Sequence, residues 1–321
     1  MLIAIRFVLL FLAFLSVGFL YYFSDKPEYR YREFPCNYHM AYETTGDVAL
    51  AGIGGSRMKV SFGAEQISRE IEKISGEASP VFNISHNRKG MDLEFVLIRD
   101  FLEQHSTDVM FVFYEPRQKP TPHVQYFSAA KTTDFRHLLF ADRNKSIFVR
   151  ISDTLKLFST RFDRWKKVNV RTRLIRSGDN FYDCHSSDML LNVDKVVSGG
   201  EVIPADTIAP DKMDITSNDD AYQIYFMKRI TKLGNMHGTK MVFIHLPFRN
   251  KSTMSDQFQE DFFELIGAPL WVLPPSLRDE LAYVGYRDNT HLYAPGRDIY
   301  IDWLVKKLER NCYIAEVCLN E

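Results

Sequence analysis

Charge of one sign is what this 321-residue chain lacks most: 40 Lys and Arg stand against 41 Asp and Glu, a formal net charge of -1. That balance argues against a dedicated nucleic-acid binder, because neutralising a phosphate backbone ordinarily leaves a strongly basic domain. No nucleic-acid partner is expected. Cysteine is scarce too. Cys36, Cys184, Cys312 and Cys318 are the whole set, and none stands in the C-x-x-C spacing of redox or zinc sites. Cys312 with Cys318 and Cys36 with Cys184 is one of three pairings, and free buried thiols are an equally ordinary outcome. The chain has no internal repeat and no low-complexity linker, which argues against solenoids and bead-like arrays. It also lacks a nucleotide loop: the glycines at 52–55 neither lead to Lys-Ser/Thr nor form G-x-G-x-x-G opening into a helix.

What is present is an ordinary globular composition, 45% hydrophobic and 25% charged. Between Arg6 and Asp25 run 18 uncharged residues dominated by Phe, Leu and Val, enough to cross a hydrocarbon core as a helix. Tyr21 and Tyr22 close it as interfacial residues do. No small-x-small cleavage site follows, so an uncleaved single-pass anchor over residues 1–24 is expected ahead of a cleavable signal peptide. Arg6 before the run and Lys26, Arg30 and Arg32 after it leave the orientation open. A polar linker over 25–45 then leads to one α/β domain over 46–321.

The balanced total hides two opposed blocks. Arg143 to Arg176 holds eleven Lys/Arg against Asp153 and Asp163, and Ser177 to Asp220 holds ten Asp/Glu against Lys195 and Lys212. These read either as mutually neutralising solvated faces or as a basic, aromatic-laced face that meets anionic lipid or an acidic polymer.

Short apolar runs alternate with helical patterns in the manner of βαβ units. Val48 to Ile53, Val81 to Ser85, Val109 to Tyr114, Met241 to Pro247 and Leu270 to Leu273 read as buried parallel strands. Helical spacing links Ile67, Ile71 and Ile74; then Leu93, Val96, Leu97 and Phe101, with charged residues opposite; a helix over about 219–233; and Phe258, Phe262, Phe263 and Ile266. Pro295 and Gly296 open a last helix carrying Ile299, Trp303 and Leu304. The fold class predicted is α/β, a doubly wound, mainly parallel five-stranded sheet. The stretch 117–217 interrupts the alternation and is expected as a lid-like insertion above the strand ends. Chemistry belongs in the crevice at those carboxyl ends.

The first strand ends in Gly52-Ile53-Gly54-Gly55-Ser56-Arg57, whose glycines permit a sharp turn presenting the Ser56 hydroxyl. Near the end of the chain, Asp288-Asn289-Thr290-His291 sets a carboxylate three residues before an imidazole, so Asp288 can orient His291 to take a proton from serine. The same D-x-x-H recurs at Asp134 and His137 inside the insertion, so spacing alone does not choose between them. Position does, because only Asp288/His291 follows a strand and precedes the last helix. Glu115 and His245 lie at strand ends as pocket linings or, more ordinarily, satisfied polar groups. Asn83 is expected to tie the second loop to the first. Arg57 is either a partner for an anionic substrate group or a member of a surface ion pair. His185 has no metal-ligand spacing around it.

Taken together, these segments resemble the SGNH (GDSL-like) hydrolases, and most closely the membrane-anchored SGNH-like proteins that O-acetylate cell-surface polysaccharides. Gly54-Gly55-Ser56-Arg57 is similar to the family's first block, Val81-Phe82-Asn83-Ile84-Ser85 to the second and Asp288 to His291 to the last. The resemblance implies a Ser56–His291–Asp288 triad, an oxyanion hole made by the backbone N–H groups of Ser56 and Ser85, and no metal or organic cofactor. It further implies an envelope polysaccharide acceptor, a multi-span membrane acyltransferase partner, and a catalytic domain on the periplasmic or extracytoplasmic side. Two departures stand out. Ser85 replaces the glycine of the second block, and the third strand ends Phe113-Tyr114-Glu115-Pro116 with no asparagine, leaving Asn87 as a candidate side-chain donor. Two other readings remain open: a non-catalytic polysaccharide- or partner-binding protein with the same fold, and a simple lipid or ester hydrolase.

Overall fold

The computed structural model describes residue 42, residues 45–116 without 78 and 87–89, residues 122–159 with interruptions, and residues 221–311 without 247 and 250–253. The apolar run at 7–24, the four cysteines, His185, Asn87 and most of the charged blocks lie outside the described residues. No helix among the described residues is long and apolar enough to cross a membrane.

Five strands form one sheet in the order β2-β1-β3-β4-β5, every neighbouring pair parallel. They are β1 (Gly46–Ile53), β2 (Val81–Asn83), β3 (His105–Phe113), β4 (Lys240–His245) and β5 (Leu270–Val272). Each coincides with one of the five apolar runs. A parallel sheet needs both faces covered, and the period-2 alternation of its strands supplies two apolar faces. Met110, Val112, Met241, Phe243, Leu270 and Val272 enter one core, while Val109, Phe111, Phe113, Val242, Ile244 and Trp271 enter the other.

The first core is closed by α3 (Met91–Leu102), α6 (Ala221–His237) and α7 (Asp256–Ile266). The second is closed by α1 (Ser56–Ser61), α2 (Ala64–Ser75), α8 (Pro275–Val284) and α9 (Ala294–Arg310). Helix α8 is not foreseen by the sequence reading, although Pro275 in its first turn and Leu277 and Leu281 at i, i+4 spacing mark it.

Three expectations need correction. The beginning of the predicted insertion is part of the domain's core, not a lid over the strand ends. Its helices α4 (Tyr126–Ala129) and α5 (Phe135–Ala141) place Tyr126, Ala129, Ala130 and Ala141 in the first core. They cover α3 from outside, so that helix has no solvated charged face: Asp92, Glu94 and Asp100 are buried along with Leu93, Val96, Leu97 and Phe101. On α7, Phe258, Phe262 and Ile266 turn inward, but Phe263 is exposed.

Two glycines matter through space, not dihedral freedom. A Cβ on Gly54 would lie 2.3 Å from Cβ of Phe113 on β3, so the turn after β1 can hug the sheet only without a side chain there. A Cβ on Gly296 would lie 2.1 Å from the carbonyl oxygen of Gly285, the residue that ends α8. That contact seats the start of α9 on the end of α8. Gly296→Ala is therefore expected to destabilise the domain by about 1–3 kcal/mol through overpacking. It should appear as a lower urea midpoint at an unchanged slope; an unshifted midpoint would show that the close approach is dispensable.

Candidate active site

Ser56 begins α1 immediately after β1, the strand flanked by β2 and β3. Gly55 precedes it in extended conformation, φ -79° and ψ -166°, so the chain turns from strand to helix at the nucleophile candidate itself. The backbone N–H groups of Ser56, Arg57 and Met58 have no hydrogen-bond acceptor among the described residues, as expected for the first turn of a helix.

The segment between α8 and α9 brings the other two residues. It is a tight loop closed by an isolated antiparallel bridge between Tyr286 and Leu292, with Arg287 N–H bonded to the His291 carbonyl at 2.8 Å and Tyr293 N–H to the Gly285 carbonyl at 3.0 Å. The Arg249 N–H donates to the Asn289 carbonyl at 3.1 Å, tethering the loop to the chain after β4. Within it, Asp288 Oδ1 accepts from the N–H groups of Thr290 at 2.7 Å and His291 at 2.8 Å. The sequence reading expected only the bond to the ring; the carboxylate also builds the turn.

The three side chains meet. His291 Nδ1 lies 2.9 Å from Asp288 Oδ2, and His291 Nε2 lies 3.0 Å from Ser56 Oγ, across 235 positions of sequence. With the Asp288 carboxylate on Nδ1, the tautomer favoured carries its proton there and leaves Nε2 as acceptor for the serine proton. The Thr290 hydroxyl, not anticipated from sequence, donates to Asp288 Oδ1 at 2.8 Å and stands 2.8 Å from His291 Nδ1. Partial burial pushes the Asp288 carboxyl upward, but bonds from the His291 ring, the Thr290 and His291 amides and the Thr290 hydroxyl outweigh it and hold the group at about 2.

The competing pair behaves otherwise. Asp134 bonds Arg99 at 2.5 Å and the Lys131 N–H at 2.6 Å, and His137 Nδ1 lies 3.0 Å from the Tyr225 hydroxyl. Burial lowers His137 to about 4, so it is a neutral core imidazole.

Of the donors the resemblance implies, Ser85 is engaged elsewhere, and Asn87 lies outside the described residues. Ser85 N–H donates to Asn83 Oδ1 at 3.1 Å, so it is spent inside its own loop. Its neighbours are spent too, Ile84 N–H on the Gly52 carbonyl and His86 N–H on that of Gly54. Asn83 explains this. As expected, it ties the two loops together, its amide donating to the Lys59 and Phe62 carbonyls of α1 at 3.1 and 2.6 Å.

Arg57 is buried, at 5% exposure, so its ion pair is not a surface one. Its guanidinium donates to the Leu246 carbonyl at 2.8 Å, pairs with Glu115 at 3.1 Å and stacks on the rings of Phe113 and Phe248, 4.7 and 4.2 Å from their centroids. The residue after the nucleophile thus ties α1 to the ends of β3 and β4. Glu115 and His245 are satisfied polar groups, the latter with Nδ1 3.1 Å from the Tyr114 carbonyl. Comparison with family models, curated proteins and solved structures finds no match to this chain.

Two outcomes follow from these contacts. Arg57→Met leaves the Glu115 carboxylate buried without its counter-charge and should cost about 3–5 kcal/mol of stability in urea denaturation; a cost below 1 kcal/mol would mean the pair does not hold the turn. Asp288 has a depressed folded-state value, so its contribution is present above the unfolded value of about 4 and lost as pH falls toward about 2. The stability gap between wild type and Asp288→Asn, measured across that range, should stay level above pH 4 and close below it.

Proposed function

We propose that this chain is a serine acyltransferase or esterase that moves an acyl group, in this reading acetyl, onto or off hydroxyls of an envelope polysaccharide through an acyl-Ser56 intermediate. The observation that carries the proposal is the continuous bond path from Ser56 Oγ to His291 Nε2 and from His291 Nδ1 to Asp288, made by residues from opposite ends of the domain. A core polar network has no need of a serine hydroxyl at the mouth of a sheet aligned on a carboxylate-oriented imidazole.

In the first half-reaction His291 Nε2 takes the Ser56 proton as Oγ attacks the acyl carbonyl. The tetrahedral oxyanion is held by the unpaired N–H groups of Ser56 and Arg57. Collapse returns the proton from His291 to the departing oxygen and leaves acyl-Ser56. In the second half, His291 deprotonates an acceptor, and attack on the acyl-serine regenerates the hydroxyl. A sugar hydroxyl as acceptor gives transfer and water gives deacylation. The polysaccharide acceptor, the single-pass anchor, the extracytoplasmic side and a multi-span acyltransferase partner follow from the sequence resemblance.

One observation favours the non-catalytic reading: the second-loop N–H expected in the oxyanion hole is already bonded to Asn83. A fluorophosphonate separates the two. The full chain is expected to form an adduct on Ser56, located by mass spectrometry, that is absent in Ser56→Ala and His291→Ala and forms about 10⁴-fold more slowly in Asp288→Asn. Folded protein that stays unlabelled, or is labelled elsewhere, would overturn the proposal in favour of a binding protein.

A further inference from the structure

An amphipathic helix in an aqueous domain turns its apolar stripe inward and its polar side out, because burial of apolar area is what holds it there. In the described helical residues of 147–159 the apolar stripe is exposed instead, with Ser152, Lys156 and Ser159 exposed beside it. Ser146 caps the segment, its hydroxyl accepting from the Val149 N–H at 3.4 Å. At 3.6 residues per turn Ile147, Phe148, Ile151 and Leu155 fall within an arc of about 100°. All four are exposed, Phe148 at 79% and Leu155 at 61%. The less exposed positions are Arg150 and Asp153. Asp153 pairs with Lys156 at 3.5 Å and lies near enough to Tyr222 of α6 for its charge to act on that phenol. The helix therefore meets the domain through charged side chains and presents aliphatic and aromatic ones to the surroundings.

Two features of the chain say what covers such a stripe. Its surroundings in sequence are basic, with eleven Lys/Arg between Arg143 and Arg176 against two Asp. The 18-residue apolar run at 7–24 is long enough to span a bilayer, and residues 25–45 after it give a tether of up to about 70 Å. An apolar stripe flanked by cations is the pattern of a helix lying in the interface of an anionic membrane, its apolar residues at the acyl boundary and its Lys and Arg among headgroups. We infer that the 147–159 helix docks the domain on the anionic bilayer that holds its own amino-terminal segment. Ser56 chemistry plays no part in this contact, which would set the height and orientation of the site above the membrane.

The test is hydrogen–deuterium exchange of the full chain in nanodiscs. With phosphatidylglycerol and phosphatidylcholine, amides of 147–159 should exchange at least about tenfold more slowly than with phosphatidylcholine alone, the factor that one or two Lys or Arg near an anionic surface supply. The double variant Phe148→Asp/Leu155→Asp should lose that protection while amides of β1, β3 and β4 keep theirs, so that misfolding is separated from lost docking. Equal exchange in the two lipids, or failure of the full chain to stay with nanodiscs, would overturn the inference. So would protection that appears only on adding an acidic polysaccharide, which assigns the face to a polymer, or that grows with the number of chains per disc, which assigns it to a second copy.

Discussion

The site depends on one contact of 3.0 Å, between a serine that begins α1 just after the first strand and a histidine 235 residues later. A proton passes over such a distance only if both partners are held to within a few tenths of an ångström. Neither is held by its own segment alone. Gly54 allows the turn before Ser56 to press against Phe113, and Arg57 anchors the turn after it to Leu246 and Glu115. On the other side, the contact of Gly296 with Gly285 joins α8 to α9, and Arg249 ties the intervening loop to the chain after β4. Strands β1, β3 and β4 are neighbours in the sheet, so both halves rest on one rigid support.

Around that contact the carboxyl groups divide by environment. Asp288 is half-exposed and receives hydrogen bonds from every side, so it is ionised and able to steady an imidazolium. Asp92 and Glu94, buried on α3, go the opposite way. Burial lifts Asp92 to about 6 despite bonds from the His123 N–H and the Tyr222 hydroxyl, and it lifts Glu94 well above the carboxylate range, with Asp92 and Glu115 pushing the same way. Between these settings stands the Arg57–Glu115 pair. It is buried, and the guanidinium also donates to the Leu246 carbonyl and lies against two aromatic faces, so that removing either partner would strand a buried charge.

The sheet was legible because a parallel strand buried on both faces reads as an uninterrupted apolar run, and all five runs were of that kind. The serine–histidine–aspartate contact was legible only in part through position: D-x-x-H occurs twice, and the copy just before the last helix meets the serine, although the unforeseen helix α8 separates it from the strand end it was expected to occupy. Side-chain destinations were not. Nothing in Gly-Gly-Ser-Arg tells whether the arginine faces solvent or the core, since that is decided by Phe113, Phe248 and Glu115, none of which is near it in sequence. The burial of α3 was hidden for a related reason. Its carboxylates look like a solvated face until His123 and Lys131, from a segment read as insertion, are seen to hold Asp92 and Asp100.

The second loop shows how a structural demand can displace a catalytic one. Asn83 has one carbonyl and one amide group to offer, and both are used: the amide binds the β2 loop to Lys59 and Phe62, and the carbonyl braces that loop internally. The carbonyl takes the very N–H that the family resemblance assigns to the oxyanion. Removing one such donor lowers a rate by about 10²–10³. In the proposed reaction the first turn of α1 would offset part of that loss, because the N–H groups of Ser56 and Arg57 start the helix unpaired among the described residues. The Arg57 side chain anchors that turn, since it pairs with Glu115 and donates to the Leu246 carbonyl. The electrostatic work would then move from the second loop to the helix of Ser56, and the residue that secures that helix is the buried arginine beside the serine.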